Sequence, residues 1–258
     1  MDPRVAIVTG ASSGLGAALA RELHARGWRV GLVARRPDLL GALAGELGDG
    51  VAWAVADVTD GPALAAAVRS VEQALGPCDL MVANAGTGSF GGLRRFDPGD
   101  AARTLRVNVE GVIHALAAVL PAMLERGGGH VAAVSSLAGE VGLPMAAPYC
   151  ASKAAVTRFM DCLRLQARPH GITVTTILPG FIDTGLLAGT RFPKPFLLSS
   201  EAAARRIASG LERRKARIAF PWPTALAAAL GRLLPPWLYD PILGLLLPPP
   251  GRRSATTA

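Results

Sequence analysis

Six short runs of β-branched and apolar residues, separated by Ala/Leu-rich stretches with helical spacing, constrain the fold of this chain more than any other feature. The runs are Arg4–Thr9, Arg29–Ala34, Val51–Val55, Leu80–Ala83, Val131–Ser135 and Thr173–Leu178. The helical stretches include Leu15–Arg26, Leu39–Leu47, Ala63–Leu75, Pro98–Arg126 and Ala151–Arg168. Strands that alternate with helices pair in parallel, and right-handed crossovers place the helices on both faces of the sheet. Ser200-Glu201 opens a further helix, Ala202–Arg214, which feeds a last strand near Arg217–Phe220. The pattern predicts an α/β, doubly wound, mostly seven-stranded parallel sheet of the Rossmann type, with an apolar helical extension at the C-terminus. Residues 1–220 are read as one domain and 221–258 as the Pro-rich extension.

Composition narrows the class. Half of the 258 residues are hydrophobic and 18% are charged, which excludes a disordered chain. Cys78, Cys150 and Cys162 are odd in number and irregular in spacing. The four histidines do not complete a metal-ligand pattern with them, so neither a disulfide framework nor a metal site is expected. The apolar strand Val5–Val8 follows the first residues directly, without the pattern of a signal peptide. A reducing cytoplasm is the expected location. Net charge is +8, and its excess lies in residues 191–258, which carry 11 basic and 3 acidic side chains.

The residues that point to chemistry lie where such a fold would gather them. Gly10, Ser12, Ser13, Gly14, Leu15 and Gly16 follow the first strand and open the first helix. Glycines there let the main chain approach a pyrophosphate, and the helix N-terminus offers unpaired N–H groups to it. The second strand ends at Arg35 and Arg36 instead of an acidic residue. Guanidinium groups match the 2′-phosphate of NADP, so NADP(H) is favoured, with NAD(H) the open alternative. Asp57 and Val58 after the third strand, and Asn84, Ala85 and Gly86 after the fourth, are further candidate cofactor contacts. Tyr149 and Lys153 stand four residues apart, on one face of a helix. An ammonium beside a phenol favours the phenolate, so this spacing predicts a tyrosine acidified toward working pH. Ser136 closes the fifth strand at the edge where open α/β sheets bind ligands, and is a candidate donor to a substrate oxygen.

Together, Thr9–Gly16, Asp57-Val58, Asn84-Ala85-Gly86, Asn108-Val109, Ser136, Tyr149-x-x-x-Lys153 and Pro179-Gly180 resemble the short-chain dehydrogenase/reductase family, in family order over about the first 185 residues. The resemblance implies a carbonyl–alcohol oxidoreductase. Tyr149 would be the general acid/base, and Lys153 would hold the nicotinamide ribose. Ser136 would orient the substrate oxygen, and Asn108 would hold a water that links Lys153 to solvent. Pro179, Gly180, Ile182 and Thr184 would border the nicotinamide, and Tyr149 and Lys153 would touch the cofactor too. The wording around Ser136 and Tyr149 is similar to hydroxysteroid- and lipid-ketone-type branches. The resemblance also implies a substrate lid at about 181–214 and a homodimer or homotetramer. Phe181, Leu186, Leu187, Phe192, Pro193 and Phe196 give the lid region an apolar character that points to a small hydrophobic carbonyl or alcohol.

Other classes remain in view. One is a non-catalytic NADP-binding regulatory or membrane-associated scaffold protein, against which the intact Asn108, Ser136, Tyr149 and Lys153 set argues. Nucleic-acid binding is not expected, because the basic C-terminal part lacks interleaved aromatic residues. Ile218–Gly251 has only two charges, Arg232 and Asp240, and directly follows the basic run Arg213–Arg217. It is read either as a cover over the active site or a subunit contact, or as a peripheral membrane contact through 213–250 at the inner face of a membrane.

Overall fold

A computed structural model describes residues 4–90, 96–187 and 194–245. Seven parallel strands form one sheet in the order β3-β2-β1-β4-β5-β6-β7. They are β1 (Val5–Thr9), β2 (Arg29–Ala34), β3 (Val51–Val55), β4 (Cys78–Ala83), β5 (Gly129–Val134), β6 (Ile172–Pro179) and β7 (Arg217–Phe220). Both faces are covered. On one side α1 (Gly14–Ala25), α2 (Pro37–Leu47) and α8 (Ser200–Glu212) bury Leu19, Leu23, Leu40 and Ile207 in one core with residues of β1, β2 and β6. On the other, α3 (Gly61–Leu75), α5 (Gly111–Ala117) and α7 (Ala147–Ala167) bury Leu64, Val68, Leu116 and Met160. The central strands read as nearly unbroken apolar runs because neither face meets water. The strand order reverses between β1 and β4, and this opens the crevice at the C-terminal rim in which doubly wound sheets hold ligands.

The expected helix Pro98–Arg126 is four pieces instead of one. These are α4 (Pro98–Leu105), a π-helical turn (Arg106–Glu110), α5, and α6 (Leu120–Glu125). Asp97 caps α4 by accepting from the Asp100 amide. Pro121 has no N–H to continue α5 and sits in the first turn of α6 instead. The π turn swings Asn108 into the interior, where it is fully buried. Helix α7 begins at Ala147, earlier than its apolar pattern suggested, because Pro148 suits a first helical turn. Two short helices, α9 (Trp222–Gly231) and α10 (Pro236–Gly244), follow β7. Ala228 of α9 packs with Leu137 and Leu178. The part of the expected extension from residue 246 onward, and Phe192 and Pro193 of the expected lid, lie outside the described residues.

His130 on β5 carries a pH dependence for the whole fold. It is 5% exposed, and its Nε2 lies 2.8 Å from Thr175 Oγ1. Thr175 donates to Lys215 O at 2.7 Å, so its oxygen accepts from His130, which suits a neutral ring. Burial, then the nearby Arg214 charge, pushes His130 down to about 4 from 6.5. Between these values the unfolded chain binds more protons than the folded one, so stability falls as pH is lowered through that window. At about pH 5 the loss is about 2 kcal/mol from this group. Thermal melts should show the drop between neutral pH and pH 5, and His130→Gln should remove that part of it. An unchanged slope in the variant would assign the dependence to other groups.

Candidate active site

The glycine-rich turn is shaped by what its glycines exclude. Gly10 and Gly14 have φ of +68° and +54°, in the left-handed region where a side chain is strained. A Cβ on Gly10 would lie 2.8 Å from Ala85 Cα, and one on Gly16 would lie 2.3 Å from the Gly10 carbonyl oxygen. Thr9 laces this turn to the end of β4. Its Oγ1 accepts from the Asn84 and Ala85 amides at 3.0 and 3.1 Å, while Asn84 Nδ2 donates to Thr9 O at 2.9 Å. Ser13, at the N-cap of α1, makes no side-chain capping bond, and the first turn has no acidic residue. Its N–H groups and the positive end of the helix dipole are thus left for an anion. The bare main chain and this donor set fit the pyrophosphate of a dinucleotide.

Two arginines stand beside that turn. Arg36 donates from Nη2 to Ser12 Oγ at 2.8 Å and to Ser13 Oγ at 2.6 Å. Arg35 is largely exposed and faces Asp57 Oδ2 at 3.4 Å. The other Asp57 oxygen accepts from the Thr59 amide and hydroxyl. Burial raises the Asp57 carboxyl, but the Thr59 hydrogen bonds and the Arg35 charge outweigh it and hold the group below its ordinary value. Arg35, Arg36, Ser12 and Ser13 therefore gather hydrogen-bond donors and positive charge at one edge of the crevice.

At the other end of the crevice, Tyr149 and Lys153 project from the first turns of α7. Ser135 fixes this helix to β5, with its Oγ 2.7 Å from both Lys153 O and Thr157 Oγ1. Gly139 lets the segment after Ser136 lie flat on α7, since a Cβ there would sit 2.7 Å from the Lys153 carbonyl carbon. Lys153 is buried, donates to Val134 O at 2.7 Å, and holds Nζ 5.8 Å from the centre of the Tyr149 ring. The Asn108 side chain is held on three sides. Its Nδ2 donates to Thr87 O and Ser152 Oγ, both at 2.9 Å, and its Oδ1 accepts from the Thr87 amide at 2.8 Å.

The expected acidification of Tyr149 is not what the site produces. Burial pushes the phenol up to about 12, and the hydrogen bond with Ser136 offsets only part of this. Lys153 does not counter the burial because it suffers the same desolvation, which lowers it to about 8. Its ammonium is also turned to the Val134 carbonyl. The phenol is therefore protonated at neutral pH.

One cavity of about 1450 Å³ joins these parts. Every residue that the sequence marked for catalysis or cofactor lies on its wall except Asn108, which stands behind it. Pro179, Gly180, Ile182 and Thr184 close the side next to the glycine-rich turn. The remaining wall includes an apolar group of Phe90, Leu137, Val141, Leu143 and Leu186, together with the charged Asp97, Asp100, Arg103 and Arg106. Phe90 packs on Tyr149 with ring centres 5.4 Å apart. Sequence reasoning did not find Tyr239 and Leu243 of α10, nor Ala227, Ala228 and Gly231 of α9, which also line this cavity. The described part of the extension thus covers the site. Phe90, Gly139 and Ser152 were missed too, because their types are common in loops and helices and only the fold brings them to the site.

A model of the short chain dehydrogenase family matches residues 4–193. An uncharacterized oxidoreductase of Myxococcus xanthus is 41% identical over 93% of this chain and 96% of its own length. Among solved structures, a gluconate 5-dehydrogenase from Burkholderia cenocepacia, in complex with NADP and tartrate, is 31% identical with a TM-score of 0.69, covering 73% of this chain and 75% of that one. A 3-ketoacyl-(acyl-carrier-protein) reductase from Brucella melitensis, complexed with NADH, is 28% identical with a TM-score of 0.76, covering 81% and 90%.

Proposed function

This chain belongs to the short-chain dehydrogenase family and is an NAD(P)-dependent oxidoreductase, and from that premise we propose that it interconverts a ketone or aldehyde and an alcohol with NADP(H), on a hydrophobic substrate. The observation that carries this reading is the pairing of the Ser136 and Tyr149 hydroxyls in one cavity with the glycine-rich turn. The bound nicotinamide supplies the hydride. Tyr149 gives its phenolic proton to the carbonyl oxygen in reduction and takes it back in oxidation. Ser136 holds that oxygen by a hydrogen bond, which orients the carbon beside the cofactor. Lys153, at about 8, is mostly protonated at neutral pH and offers donors toward the ribose. Both amide hydrogens of Asn108 are committed to Thr87 and Ser152, so the water that would link Lys153 to solvent would have to donate to an Asn108 carbonyl oxygen. The apolar wall excludes water and favours substrates with alkyl or ring substituents.

Arg35 and Arg36 support the choice of NADP(H) over NAD(H), because a 2′-phosphate accepts bidentate bonds from guanidinium groups. Arg35→Ala combined with Arg36→Ala should lower kcat/KM for NADPH about 10–100-fold and leave NADH nearly unchanged. Equal losses with both cofactors would sink the preference. The reaction itself is tested by following NADPH consumption with a panel of aldehydes and ketones of increasing apolar size. Consumption should rise with that size, and none with any carbonyl would overturn the reading. A silent nucleotide-binding role is disfavoured because binding alone has no use for the paired hydroxyls. Association as a homodimer or homotetramer through the α4–α5 and α7 helices is supported by exposed Leu105, Ile113 and Leu165, and sedimentation equilibrium checks it.

A further inference from the structure

The last two helices among the described residues are apolar on opposite faces. In α9, Thr224, Ala227, Ala228 and Gly231 face the cavity. Trp222, Leu226 and Leu230 recur on the other side and are 75%, 51% and 54% exposed. In α10, Tyr239 and Leu243 face the cavity, whereas Trp237 and Ile242 are 76% and 50% exposed. At 3.6 residues per turn the two sets stand nearly half a turn apart in each helix. Residues 222–245 contain two charges, Arg232 and Asp240. Arg232 is drawn to Glu140, so it is held against the protein. A water-facing surface rarely keeps so many large apolar side chains together.

We propose that this outer face lies on a lipid surface, and that α9 and α10 admit an apolar carbonyl substrate from that surface into the cavity. The nature of the substrate rests on the reductase reading; the docking does not.

Three observations select a lipid surface over a second copy of the chain. First, Trp222 and Trp237, two of only four tryptophans, stand on the bare face, and the indole ring suits the boundary between headgroups and hydrocarbon. Second, the basic excess of the chain falls in residues 191–258, which favours an anionic surface. Third, the opposite sides of the same two helices line the cavity, so the elements that would rest on the lipid are also the ones that stand between it and the site. Helices of ten and nine residues are too short to cross a bilayer and would lie in its interface. They are not a loose tail. Glu140 pairs with both Arg217 and Arg232, and the Tyr239 hydroxyl donates to Gly142 O at 2.5 Å. The extension is thereby fastened to the segment that follows Ser136.

The test is flotation of the full chain with vesicles of phosphatidylcholine, alone or mixed with phosphatidylglycerol. The protein should float with both, and more completely with the mixture. Leu230→Glu combined with Trp237→Glu should keep it in the dense fraction. That variant should still consume NADPH with a short water-soluble ketone at the wild-type rate. For a long-chain ketone presented in vesicles, its kcat/KM should fall about tenfold. If the glutamates unfold the chain, the Leu230→Ser and Trp237→Ser pair serves instead. The proposal is overturned if the wild type stays dense with both vesicles, or if the double variant floats equally well. It is also overturned if the variant merely turns a dimer into a monomer in sedimentation while flotation is unchanged. Flotation without NADPH consumption on any ketone would leave the docking standing and overturn the reductase reading, and with it the substrate route.

Discussion

Tyr149→Phe is expected to lower turnover about 10²–10⁴-fold, the usual worth of a positioned general acid. Affinity for NADPH should stay within about twofold, because the ring keeps its packing on Phe90 and only the hydroxyl is lost. Measured as kcat and KM in parallel, the loss should fall on kcat. Retained turnover would show that the carbonyl oxygen receives its proton from another group. The pH profile adds a second check with a definite sign. The phenol remains protonated up to about 12, so it is not the group that limits reduction at ordinary pH. Lys153 is charged below about 8 and neutral above it. Turnover in the direction of reduction should therefore decline as pH rises through about 8. A flat profile across that value would remove Lys153 from the step.

Gly16→Ala should cost both stability and cofactor binding. The new methyl would lie 2.3 Å from the Gly10 carbonyl oxygen and 2.6 Å from Asn84 Nδ2. Neither can yield easily. The Gly10 amide is held to Val33 O at 2.8 Å, and Asn84 is tied to Thr9. Relief has to come from moving the turn, at about 1–3 kcal/mol for the overpacking. A displaced turn no longer presents its N–H groups to a pyrophosphate, so the rise in melting temperature that NADPH gives the wild type should vanish. Gly27→Ala is the control. Its φ of +80° also strains a side chain, but no atom lies within 4 Å of the added carbon. It should lose about 1 kcal/mol and keep the full NADPH-induced shift. If Gly16→Ala kept that shift as well, the turn would not be the phosphate cradle.

Where the chain's local rules agreed with one another, its structure was readable from the residues. The strands, the crossover helices and the glycine-rich turn all follow from periodicity and from what glycine permits. The Tyr149–Lys153 pair was legible because four residues make one helical turn. The stretch Pro98–Arg126 was not, since its helical pattern runs through both breaks. Pro121 marks one of them. The π turn at Arg106–Glu110 has no local signature, because it serves a buried Asn108 whose partners, Thr87 and Ser152, come from elsewhere in the chain.

The order of residues by itself determined the α/β architecture, the place of the glycine-rich turn and the presence of a Tyr/Lys pair, because each depends on neighbours within a few positions. Only the tertiary structure decided how those groups behave. Burial reversed the expected drift of the Tyr149 phenol, since desolvation depends on everything packed around a group and not on its sequence neighbours. The same holds for the extension. Its apolar residues were plain to read, yet which of them line the cavity and which stand bare follows from how α9 rests on Leu137 and Leu178 and how Tyr239 ties α10 to Gly142.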